Sequence, residues 1–394
     1  VFRIINKGIG LLGKYLSRDL KILSIAFFFI FMGSSFQQFL IPYLQKSTSW
    51  SAMKCSVILM VVYSTFLFWR VFVNYTIKWL GDYVSIFLGS LTYSGFMLSL
   101  YLTKQYPLII LSALIWGWGA AALWITSSSQ VLDASRSSQY GMASGIFYCA
   151  THLGFAFGVL LLGNIGERFS GDHAVLTACL AIVIGNIIIL FIPKRNTHRE
   201  SRIGIAFTMM LAKKIRIVSF LLFASSLSFG LMLGAFTGVA EKHGFAYLAG
   251  TAVFAPIARA VLSLVGGFIS DKLGRGKTLF ISFAISTVGL ASAGIWSNIV
   301  TLAFSALSLG LQGGLVPVSA MAIIGDSVNT ERRHLAFSAT FVWRDLGVVL
   351  SLFFGQYISS KLGGFNGTFI IFAGIFLICA LISLSLIKHE KELV

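Results

Sequence analysis

Charge is what this chain most lacks: Asp, Glu, Lys and Arg together make up 11% of its 394 residues, where soluble domains carry about 25%. That scarcity excludes an ordinary soluble globular fold. Acidic residues number only 13, almost all at the edges of apolar runs, so no constellation for acid–base chemistry emerges. Cys55, Cys149, Cys179 and Cys379 lie within or beside apolar runs without metal-ligand spacing. They read as small buried residues, not as a disulfide frame or a zinc site. There is no phosphate-binding loop of the Walker type, which argues against ATP hydrolysis, and an isolated Ser or Cys in an apolar run is no nucleophile without a base nearby. No enzymatic activity, metal or cofactor is expected. The net charge of +17 would suit nucleic acid, but no long soluble segment exists to present a basic face, so nucleic acid is not an expected partner.

What the chain has in abundance is apolar residues, 57% of the total, giving a mean hydropathy of +0.88. Runs of about 20 apolar residues recur, each long enough to cross roughly 30 Å of hydrocarbon as a helix. They fall near 22–44, 54–76, 84–103, 108–132, 140–164 and 173–192, then 217–240, 247–270, 277–297, 299–325, 335–359 and 366–387. The expectation is an all-α polytopic membrane protein with twelve transmembrane helices. Residues 1–192 would form an N-terminal six-helix bundle opened by a basic amphipathic segment, Val1 to Lys21; 193–216 a cytoplasmic basic linker; and 217–394 a C-terminal six-helix bundle. The first run is too long, and is followed by too many others, to be a cleavable signal. A chain beginning at Val1 without Met leaves room for a longer N-terminus.

Charge distribution orients this topology. The segments assigned to the cytoplasm hold 21 of the 30 Lys and Arg residues, and those assigned outside hold Lys46, Lys54, Lys104, Arg168, Lys242 and Lys361. Such a bias over short loops places both termini in the cytoplasm, in a plasma or bacterial inner membrane. The turn GFISDKLGRGK, Gly267 to Lys277, is the sharpest of these loops, with Lys272, Arg275 and Lys277 packed between two apolar runs. A degraded copy, NYTIKWLGDYV from Asn74 to Val84, lies 193 residues earlier, so that Leu80-Gly81 matches Leu273-Gly274. The same offset aligns SALIWG (Ser112 to Gly117) with SALSLG (Ser305 to Gly310), Asp133 with Asp326, and Leu153-Gly154 with Leu346-Gly347. A register that holds across the chain indicates a duplicated six-span unit. An even number of spans per unit gives a parallel repeat, two pseudo-symmetric six-helix bundles with a pathway between them.

With these residues in view, the chain resembles the major facilitator superfamily over essentially its whole length. GFISDKLGRGK is similar to that superfamily's loop signature, and TFVWRDLG, Thr340 to Gly347, resembles a penultimate-span sequence common in its bacterial transporters. The resemblance implies a secondary transporter working by alternating access, with a small-molecule substrate, contacts with membrane lipids, a coupling ion left open, and a monomer. It also implies that Asp271, with Arg275, acts as a gate latch holding neighbouring helices in one of two packings. In the first-half copy Lys78 replaces Asp271 and Asp82 replaces Arg275, so that role does not transfer there. Two marks of the superfamily's proton antiporters are missing: Ala113 stands where an Arg often precedes the GxG of Gly117-Trp118-Gly119, and Val159 where Pro is usual in the fifth span.

The intramembrane charges are Arg70, Arg259, Arg344 and Asp345. Each costs about 2.5–3.5 kcal/mol on insertion scales unless paired, wetted or snorkelling, so functional use is the first hypothesis. Arg70 lies close enough to its span end to snorkel instead. Arg344 and Asp345, adjacent in sequence, point about 100° apart on a helix and are not expected to be ideal partners. In the superfamily's fold the second span packs on the eleventh and the fifth on the eighth. The resemblance therefore implies a pair Arg70–Asp345, and a meeting of Arg259 with His152, the repeat equivalent of Asp345.

Three arginines against one aspartate favour a small organic anion or carboxylate-bearing metabolite as substrate. The first, fourth, seventh and tenth spans, which line the cavity in the superfamily, carry no charge; they offer Gln37, Gln38, Trp124, Gln130, Ser228 and Gln312 as substrate-binding candidates. Amides, hydroxyls and indoles also suit a lipophilic compound, so multidrug or lipophilic-compound efflux is the alternative. A reading of a different class is a non-transporting scaffold or regulator on the same fold, motivated by the decayed loop at Asn74 to Val84. Gly154, Gly158 and Gly163 give the fifth span a small-residue face for close packing, and Pro256 and Pro317 are expected kinks.

Overall fold

The computed structural model describes residues 17–135, 140–194, 213–233, 253–362 and 365–391. These fold into twelve long helices: α1 (Arg18–Ser34), α2 (Ala52–Leu80), α3 (Asp82–Leu102), α4 (Tyr106–Asp133), α5 (Tyr140–Arg168), α6 (Gly171–Ile189), α7 (Lys213–Leu233), α8 (Phe254–Leu273), α9 (Arg275–Trp296), α10 (Ile299–Ser327), α11 (Arg333–Lys361) and α12 (Phe365–Lys391). Eleven are long and apolar enough to cross a membrane, and α8 contributes the shorter apolar stretch Phe254–Gly266. Their outward faces are apolar as well, with Phe68, Leu111, Leu180, Val288 and Ile378 exposed. In water that surface would be a liability. In hydrocarbon it is the correct solvent match, because each helix satisfies its own backbone groups.

Local chemistry sets the helix ends. Ser17, Ser51 and Ser170 cap α1, α2 and α6 by accepting from Leu20 N, Lys54 N and His173 N, and Asn298 closes a capping box with Thr301 at the start of α10. Between α2 and α3 the chain turns on Gly81, φ 80° and ψ 164°; between α8 and α9 it turns on Gly274, φ 86° and ψ 149°. That region of backbone space is essentially restricted to glycine. The two turns are repeat equivalents and share one geometry.

The first span is broken, which its hydropathy does not reveal. After α1 the chain forms a 3-10 turn, Ser35–Gln38, and resumes as a short helix, Leu40–Thr48. Continuous α-helix would require an N–H at residue 42 to bond the Gln38 carbonyl, and residue 42 is Pro. Pro317 does lie inside α10. Pro256, expected to kink the eighth span, is instead the third residue of α8, where a missing N–H disrupts nothing. The segment 1–16, most of the 193–216 linker and the stretch between α7 and α8 lie outside the described residues.

Packing reproduces the repeat in three dimensions. In the first half α1 packs on α5 and α6, α2 on α4, and α3 on α4 and α6; in the second α7 packs on α11, α8 on α10, and α9 on α10 and α12. Glycines mark the close crossings. A Cβ on Gly117 would stand 2.8 Å from Val62 O, and one on Gly310 would stand 2.4 Å from Ala255 O. Gly154 likewise meets Phe28 O at 2.1 Å and Gly347 meets Phe223 O at 2.4 Å. The halves join through α5 on α8 and α2 on α11, again a symmetric exchange, and enclose the volume between them.

Candidate substrate-binding cavity

A cavity of about 150 Å³ lies on the axis between the halves, lined by residues of α1, α2, α3, α4, α5, α7, α8, α10 and α11. That is room for about five water molecules, below the 300 Å³ or more of typical ligand sites. Much of the wall is aromatic: Phe31, Tyr63, Phe66, Tyr93, Trp116, Trp124, Tyr148 and Phe155 all contribute.

Helix rotation decides which of the expected residues reach it. On α4 the lining positions Trp116, Ala120 and Trp124 repeat every four residues and form one face; Gln130 falls on another. Gln37 lines the cavity and its Oε1 accepts from Tyr63 Oη at 2.5 Å. Its neighbour Gln38 is turned about 120° away in the 3-10 segment, and its Nε2 donates instead to Met232 O at 3.5 Å. Ser228 lines the wall together with Ser225 and Ser226, while Gln312 is fully buried outside the lining. So Gln37, Trp124 and Ser228 meet in the cavity, and Gln38, Gln130 and Gln312 do not. Sequence reasoning missed Tyr63 and Tyr148. Tyr63 stands seven residues before Arg70 on α2, two turns along the same face, and that spacing was the available signal.

Three of the four intramembrane charges form one cluster, and the fourth, Arg259, lines the same cavity. Arg70 is 1% exposed, which overturns the snorkelling alternative: its Nε donates to Asp345 Oδ2 at 2.7 Å, joining α2 to α11. One turn further along α2, Asn74 Nδ2 donates to Ser338 Oγ at 2.8 Å. Arg344, not expected to partner its neighbour, does so through Nε and Nη2, which lie 3.0 and 2.9 Å from Asp345 Oδ1. The 100° between adjacent positions is spanned because a guanidinium on a flexible stem curls back around the helix. One carboxylate thus serves two guanidiniums. Aromatic faces supply further compensation: Arg70 lies 4.2 Å from the Phe66 ring centroid, and Arg344 lies 5.0 Å from Phe341 and 5.4 Å from Trp124.

The anticipated meeting of His152 and Arg259 is not formed. Both line the cavity, but His152 Nε2 and Arg259 Nε and Nη2 have no hydrogen-bond partner among the described residues. The His152 ring stacks on Tyr148 at 6.0 Å, and Arg259 lies over Phe229 at 4.9 Å. Asp271 belongs to the last turn of α8; its side chain lies outside the described residues. It is Asp82, the first residue of α3 and buried, whose carboxylate sits at a helix N-terminus, where the macrodipole favours it. Arg275 opens α9, half-buried. The cysteines are free, with Cys55, Cys179 and Cys379 buried and Cys149 half-buried.

Comparison with known proteins places this architecture. A family model described as Major Facilitator Superfamily matches residues 23–258 and 218–393. The chain is 21% identical to a proton-coupled antiporter flippase, LtaA, of Staphylococcus haemolyticus, over 94% of this chain and 95% of that one. It is 26% identical to the multi-drug resistance efflux pump PmrA of Streptococcus pneumoniae, over 37% of each. Among solved structures, its fold is similar to that of the human organic anion transporter MFSD10, with a TM-score of 0.76 and 11% identity over 93% of this chain and 99% of that one. It is also similar to that of FucP, with a TM-score of 0.69 and 13% identity over 93% and 98%. A duplicated six-helix unit, a central cavity between the copies and a family match spanning both halves lead to one conclusion: the chain belongs to the Major Facilitator Superfamily and is an integral membrane transporter of that type.

Proposed function

We propose that this protein is a secondary transporter that moves a small organic anion by alternating access, the two halves rocking about the central cavity. The observation that carries this reading is the charge balance of the site: Arg70, Arg259 and Arg344 against the single carboxylate of Asp345, all in or beside one cavity. Buried cationic excess is costly in a membrane, and an anionic ligand relieves it. Where the halves touch through Arg70–Asp345 and Asn74–Ser338 is the end we assign to the cytoplasm, supported by the Lys and Arg bias of its loops.

A second reading, export of lipophilic compounds, is supported by the aromatic wall and by relatives whose names describe a flippase and an efflux pump. Thermal-shift screening of the purified protein separates the two, since a ligand that binds the native state raises its apparent stability. Organic carboxylates are expected to stabilise and to drive counterflow in proteoliposomes. Stabilisation by hydrophobic cations alone would reject the anion reading. Absence of flux across both panels would favour a non-transporting role on the same fold.

A further inference from the structure

The cationic groups of the cavity are not equivalent. Arg70 spends its Nε on Asp345, and Arg344 spends Nε and Nη2 on the same carboxylate. Arg259 has no such carboxylate partner among the described residues. It is 7% exposed, and its Nε and Nη2 are both buried without a hydrogen-bond partner among the described residues. Those two atoms form one edge of the guanidinium, the edge whose parallel N–H vectors match the two oxygens of a carboxylate. Leaving two charged donors unsatisfied in a buried site is expensive.

Two neighbours fix this edge. The guanidinium lies over the Phe229 ring at 4.9 Å, which supports its face. On α10, Gly313 lets the helix backbone pack directly against that edge: a Cβ there would stand 2.5 Å from Arg259 Nε and 3.2 Å from Cζ. Trp124 and Tyr148 line the same cavity and stack at 5.9 Å and 29°, with the Arg344 guanidinium 5.4 Å from the Trp124 ring.

We infer that the Nε–Nη2 edge of Arg259 is the receptor for the substrate's anionic group, which it binds as a bidentate carboxylate, and that the substrate is a monocarboxylate with an aromatic or apolar body lying against Trp124 and Tyr148. Gly313 is a positioning residue for that edge. The inference rests on the organic-anion reading and adds to it one site, one charge and one geometry.

The test measures binding of benzoate and phenylacetate, with benzamide as the neutral isostere, to the purified full chain by calorimetry, alongside the thermal shift. Wild type is expected to bind the acids and not the amide. Arg259→Lys keeps the charge but loses the fork, and should weaken carboxylate binding tenfold or more, whereas Arg344→Lys should weaken it much less. Gly313→Ala keeps the arginine and displaces its edge; it should reproduce most of the Arg259→Lys loss, which keeps the question answerable where the lysine variant fails to fold. Carboxylate binding by wild type with Arg259→Lys or Gly313→Ala within twofold of it would overturn the fork assignment and leave the organic-anion reading standing. No carboxylate binding by wild type would overturn both.

Discussion

Asp345 carries two guanidiniums on one carboxylate, Arg70 on Oδ2 and Arg344 on Oδ1, so each of the three groups depends on the others. Removing one partner of a buried ion pair costs about 3–5 kcal/mol because the survivor is left uncompensated, and here two cations would survive. Asp345→Asn should therefore lower the apparent melting temperature of the detergent-purified protein more than Arg70→Met does. The exchange Arg70→Asp with Asp345→Arg should recover part of the transport lost in either single variant; no recovery would reject a functional pairing. The α2–α11 pair was anticipated through the family resemblance, which sets the second span against the eleventh, with few charges in the spans to choose between. The Arg344 share was not, since helix angles describe where a Cβ points and not where a long flexible side chain ends. The failure of His152 to meet Arg259 has a related cause: adjacent helices bring two positions to one cavity without bringing two polar atoms within 3.5 Å.

Among the helices, glycine sets the distances. Gly154 and Gly158 of α5 abut Phe28 O and Met32 O of α1, with a Cβ 2.1 and 2.0 Å from those backbone atoms. Backbone cannot yield as a side chain can, so Gly158→Leu should destabilise by about 1–3 kcal/mol or more, read as a lower unfolding temperature. Gly95→Ala on α3, where nothing lies within 4 Å, is the matched control and should leave stability unchanged or slightly raised. Gly81→Ala and Gly274→Ala force a Cβ into backbone conformations at φ 80° and 86°, costing about 1–3 kcal/mol each. Equal losses at the two turns are expected from their shared geometry, and a loss at neither would contradict it. The small-residue face of α5 was readable as spacing in the sequence; that it clasps α1 required the fold.

For the whole molecule, the question is what holds the halves together at the Gly81/Gly274 end. Arg70–Asp345, Asn74–Ser338 and the approach of Gly145 to Ser263 O, 2.6 Å from a built Cβ, all cross between them. Asn74→Ala removes one buried hydrogen bond, about 1 kcal/mol and so roughly fivefold in a two-state population. Alkylation of a cysteine introduced by Thr340→Cys, at a position fully buried in this state, should speed up correspondingly; an unchanged rate would mean that contact does not restrain opening. The proposed latch is a further, separate element. Asp271→Asn is expected to impair transport more than Asp82→Asn, and equal effects would count against an asymmetric gate.

By itself the sequence determined the number of spans, the duplication and the fold family, because hydropathy, loop charge and a constant 193-residue offset are properties of one dimension. It also determined that the membrane interior holds three arginines and one aspartate. Only the tertiary structure decided which helix faces meet on the axis. That choice brought Gln37, Trp124 and Ser228 into the cavity, turned Gln38, Gln130 and Gln312 away from it, and left Arg259, among the described intramembrane arginines, with both Nε and Nη2 buried and unpaired. The reason is rotational: a span is equally hydrophobic whichever way it faces, and its orientation is set by close crossings such as Gly154 on Phe28 and Gly117 on Val62, which lie far apart in the chain.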